Sequence, residues 1–146
     1  MRANLQRALS IAVLAGLAAG AALRAAYAPD HPGADEVWST KKVMDKVHVG
    51  KQSLLSVVNK DLRKAEPDWK SDAENLTEII RLMSMLTKQK PLRGSQAAWD
   101  KLVRDYVDGA TAARQNVKEH RQQPARAALE KVRSTCEDCH DNHGIQ

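Results

Sequence analysis

Two cysteines, Cys136 and Cys139, stand three residues apart near the C-terminal end of this 146-residue chain, and His140 follows the second directly. They are its only cysteines, so no wider thiol framework accounts for them. Cys136-Glu137-Asp138-Cys139-His140 is a C-x-x-C-H sequence, the attachment signature of c-type haem. The spacing has a physical basis. Residues three apart on a helix share a face, so both thiols can form thioethers with the two vinyl groups of one porphyrin. His140 lies four residues after Cys136 on nearly the same stripe, where its imidazole reaches the iron as proximal ligand. One covalent haem c per chain is the cofactor expected.

Two other chemistries compete. A redox dithiol of the C-x-x-C kind sits in a βαβ context, and nothing strand-like precedes Cys136. A zinc site would recruit His143 as a fourth soft ligand, but tetrahedral sites draw ligand pairs from separated knuckles. Adjacent Cys139 and His140 converge poorly on one ion.

These residues need helices to hold them, and helical periodicity is what recurs. Phenylalanine is absent, and no useful period-two segment appears. A first helix is expected from Ser39 or Thr40, with Met44, Val47, His48, Lys51, Leu54 or Leu55 and Val58 on one stripe and Gly50 weakening its middle. A second begins at Ser71, paired with Glu74 in an S-x-x-E capping box, and runs through Leu76, Ile79, Ile80, Met83 and Leu86 until Pro91 and Gly94 end it. A third runs from Ser95 to Val117. Its small stretch Gly109-Ala110-Thr111-Ala112-Ala113 suits a close neighbouring helix or a flat ring. A fourth starts at Pro124, a favoured first-turn residue, and carries Ala125, Ala128, Leu129, Val132, Cys136 and Cys139 on one face. The fold class expected is all-α, an antiparallel four-helix bundle with its covalent c-type haem inside.

Residues 1–28 read as a signal peptide: Arg2 and Arg7, an apolar run from Ala8 to Leu23, then Ala26-Tyr27-Ala28 as an A-x-A site. The run is short for a membrane span. Pro29 after the cut is unfavourable, which leaves an uncleaved anchor as the alternative, and membrane association is expected only in that case. Residues 29–38 are a flexible lead-in, and 39–146 the bundle. Net charge is +5, from 23 basic and 18 acidic residues. Removing Arg2, Arg7 and Arg24 with the leader leaves 20 against 18, a net of +2. That is no nucleic-acid footprint. Lys88, Lys90 and Arg93 form a small basic cluster in a solvated loop. His31, His120 and His143 fall where solvated histidines are the default.

With these features the chain resembles the class II cytochromes c, the cytochrome c′ superfamily, and within it the low-spin, methionine-ligated members. The likeness spans residue 37 to the end and rests on Cys136-Glu137-Asp138-Cys139-His140 and on Lys42-Val43-Met44 in the first helix. It implies an exported, periplasmic bundle with Cys136 and Cys139 as thioether residues, His140 as proximal and Met44 as distal iron ligand. Family members also dimerise through their first two helices. His48, one turn after Met44, is the rival distal ligand, and the two differ in potential because methionine raises it.

Two axial ligands leave no open site for a substrate, and no acid–base or nucleophilic constellation stands elsewhere. The expectation is therefore an electron carrier rather than an enzyme. It would cycle between ferric and ferrous iron and meet its redox protein partners in small transient contacts. The alternative is a five-coordinate protein binding or sensing small gases (NO, CO), with Met44 and His48 both off the metal. A peroxidase-like reading would need His48 as the distal acid–base group.

Overall fold

Ser39 opens the first helix, its hydroxyl accepting the backbone N–H of Lys42 at 3.3 Å, as N-cap serines do. The computed structural model describes residues 38–144. Helix α1 spans Thr40–Val47 and buries Val43 and Val47, four residues apart on one stripe. It does not continue to Val58 as expected. Gly50 takes φ +88°, a left-handed conformation natural to glycine, and the chain turns before α2, Leu54–Asp61. The glycine ends the helix rather than weakening it.

Helix α3, Trp69–Ser84, starts two residues before the expected Ser71. Its N-cap is Asp68, whose carboxylate accepts the Ser71 N–H at 3.0 Å. An anion beside the positive end of the helix dipole is favoured there, so Ser71 lies inside the first turn. The helix buries Leu76, Ile79, Leu82 and Met83 and tightens into a 3-10 turn at Met85–Lys88. Helix α4, Gln96–Lys118, is capped by Ser95. Its buried residues Trp99, Val103, Tyr106, Ala110, Ala113 and Val117 recur at alternating intervals of four and three, the period of a helix face turned to a core. Helix α5, Gln122–His143, begins two residues before Pro124, which occupies the first turn. It ends at Gly144, whose φ of +68° and N–H bond to the His140 carbonyl make a left-handed cap.

Among the described residues the protein is all-helical, a bundle-like packing of five α-helices. Helix α4 lies along both α3 and α5, α2 packs on α3, and α1 touches α2 and α3. A Cβ at Gly109 would stand 2.9 Å from Val132 Cγ2. The small stretch of α4 thus serves close helix packing against α5. Gln122 ties the start of α5 to the end of α2, donating to the carbonyls of Leu62 and Lys64 at 2.8 Å each.

Trp38, the last residue of the expected lead-in, belongs to the core at 5% exposure. Its carbonyl accepts from Gln89, and Lys42 lies 4.1 Å from its ring centroid. So large an apolar ring is retained by burial. The leader and the rest of the lead-in lie outside the described residues. Among those described, no helix is long and apolar enough to cross a membrane.

Candidate functional site

Helices α1, α4 and α5, with the end of α3 and the 3-10 turn, surround a cavity of about 530 Å³, counting its part open to solvent. Helix α1 contributes Met44, and His48 caps its C-terminal end. The α3 side contributes Met83 and Leu86, and α4 contributes Leu102, Val103 and Tyr106. Helix α5 completes the wall with Thr135, Cys136, Cys139 and His140. All five expected site residues therefore border one space. Cys136, Cys139 and His140 come from one helix, and Met44 and His48 come from another, roughly ninety residues earlier in the chain.

Spacing on α5 explains the first group. Residues 136, 139 and 140 lie on one face of the helix, continuous with the buried Ala125, Ala128, Leu129 and Val132. Both thiols are free and half-buried, and Cys136 Sγ donates to the Val132 carbonyl at 3.3 Å. Burial, with Cys139 nearby, pushes the Cys136 thiol up to about 11, and burial raises that of Cys139. Apolar surroundings favour the protonated thiol, unlike the low-pKa cysteines of disulfide exchange. His140 is exposed at the cavity mouth.

On the opposite element, burial and then the proximity of His140 lower His48 to about 4. A neutral imidazole retains a lone pair for a metal or a hydrogen bond. The His48 ring meets Tyr106 edge-on, centroids 5.6 Å apart.

Sequence reasoning assigned six residues of this wall to no site. Met83 and Leu86, read as ordinary core, border the cavity, as do Leu102, Val103, Tyr106 and Thr135. Their helical stripes marked them as inward-facing, but nothing local separated core from cavity. His143 departs from expectation most. It is fully buried rather than solvated, its Nδ1 2.7 Å from the Arg93 carbonyl oxygen and its ring edge-on to Trp99. It does not border the cavity, so the fourth donor of the zinc reading is engaged elsewhere. His120 is exposed and stacks on Trp69 at 5.0 Å.

The residues present fit a covalently held haem. Two thiols three apart share an apolar wall, imidazole and thioether groups flank the same space, and the Tyr106 hydroxyl is buried there without a partner among the described residues. Comparison with protein-family models, with curated proteins and with solved structures returns no match.

Proposed function

We propose that this protein is an exported c-type monohaem cytochrome that carries electrons. In this reading α1 and α2 form one broken first helix, and with α3, α4 and α5 they make an antiparallel four-helix bundle of the class II cytochrome c kind. The observation that carries the reading is the shared cavity: Cys136, Cys139 and His140 border it from α5, and Met44 and His48 from the α1 side.

Cys136 and Cys139 would hold haem c by thioethers, His140 would be its proximal ligand and Met44 its distal one. A haem held there supplies an iron that passes between ferric and ferrous states. The chain's part is to orient and shield. Leu86, Leu102 and Val103 exclude water from the cavity walls, which favours a retained methionine thioether over an incoming polar ligand. Exposed His140 puts one side of the site near the surface, where a redox partner can approach within a small transient contact. Residues 1–28 would direct the chain to the periplasm, where such haem is attached.

Optical spectra of the protein expressed with haem-attachment machinery test this directly. A low-spin spectrum with a far-red methionine–iron band, indifferent to carbon monoxide, is the expected outcome. A high-spin ferric form whose reduced state binds carbon monoxide would instead favour the gas-binding reading, for which the open side of the cavity offers access.

A further inference from the structure

We infer that the Tyr106 hydroxyl is the hydrogen-bond donor this cavity provides to the Met44 thioether as axial ligand, and that it thereby tunes the reduction potential. The inference rests on the haem reading above.

Tyr106 is 2% exposed, and its hydroxyl is the one buried polar side-chain atom of the cavity wall that has no partner among the described residues. A buried donor left unmade is costly, and phenylalanine at this position would avoid that cost. Neighbouring donors are committed: Thr135 gives its hydroxyl hydrogen to the Lys131 carbonyl at 3.1 Å, and Cys136 its thiol hydrogen to Val132. The tyrosine ring stands edge-on to His48, which puts it beside the α1 groups rather than among the core residues behind α4.

A hydrogen bond to the remaining lone pair of an axial thioether sulfur withdraws electron density from it. The weakened donor stabilises ferric iron less than ferrous, so the bond raises the potential; groups around the ligands of a metal tune it in this way.

The test is spectroelectrochemical titration of the haem-loaded full chain, comparing wild type with Tyr106→Phe and Tyr106→Leu. Val117→Ala, buried on the same helix but away from the cavity, serves as a packing control that leaves the hydroxyl in place. Both tyrosine variants are expected to show a lower midpoint potential and a displaced far-red band, at unchanged haem stoichiometry, while the control retains the wild-type values. An unchanged or higher midpoint in a haem-loaded tyrosine variant, or an equal fall in Val117→Ala, overturns the inference and leaves the cofactor reading intact. A wild type that carries no haem overturns both.

Discussion

His143 Nδ1 lies 2.7 Å from the carbonyl oxygen of Arg93, 50 residues earlier in the chain. A carbonyl only accepts, so Nδ1 carries the proton. This bond fastens the last turn of α5, one turn beyond His140, to the loop between α3 and α4. Gly94 permits the approach, because a Cβ there would meet the imidazole at 3.0 Å. Trp99 supports the ring from the side and donates its own Nε1–H to the Leu86 carbonyl at 2.8 Å.

His143→Ala is therefore expected to lose a buried hydrogen bond and leave a cavity, at a cost of about 3 kcal/mol. Chemical denaturation measures it. A loss under about 1 kcal/mol would mean the end of α5 does not depend on this bond.

At the other helix contact, Gly109→Ala sets two effects against each other. Alanine gains about 1 kcal/mol in helix propensity, whereas a Cβ 2.9 Å from Val132 Cγ2 overpacks a close contact, typically by 1–3 kcal/mol. The net expectation is destabilisation on the order of 1 kcal/mol, relieved when Val132→Ala is added. Additive effects in the double-mutant cycle would contradict direct contact.

Much of this architecture is legible in the sequence, unevenly. Helix α4 is read nearly to the residue, because a long stripe of period 3.6 and the Ser95 cap agree, whereas α5 starts two residues before the expected Pro124. The first helix is misread because a lone glycine in a helical pattern signals weakness without revealing its φ. Asp68 and Ser71 both make plausible caps, and the choice depends on tertiary packing. The motif half of the site is local, hence visible. Its far wall draws on Met83, Leu102 and Tyr106 from two other helices, and the partner of His143 is a backbone carbonyl, which has no sequence signature.

Asp72 gives the fold a pH dependence. It is 1% exposed, with Oδ2 unpartnered among the described residues. Burial first, then Asp61 and Asp68, raise its carboxyl from 3.8 to about 7, with Lys64 opposing. The folded state thus holds a proton that the unfolded chain releases near pH 4. Asp72 contributes its full stability below that value and loses it as pH rises towards 7. Asp61 is lowered, chiefly by Lys64, and works in the opposite sense as pH falls. Asp72→Asn should flatten the decline in melting temperature between about pH 4 and 7. Parallel wild-type and variant curves would exclude a buried protonated Asp72.

The cavity also bears on folding. With Cys136→Ala and Cys139→Ala together, no thioether can form, and apolar walls of Met83, Leu86, Leu102 and Val103 would border unfilled space. Loss of cooperative melting by circular dichroism is expected. Native-like melting of this variant would show that the bundle is self-sufficient.

The most direct measurement is the intact mass of the purified chain, made with haem-attachment machinery and extracted with acidified acetone, alongside the alkaline pyridine spectrum of the same sample. A mass increased by one haem that survives extraction, lost when Cys136 and Cys139 are replaced, is the predicted result. An unmodified mass under conditions that load a control cytochrome would contradict the assignment of Cys136, Cys139 and His140 to a haem.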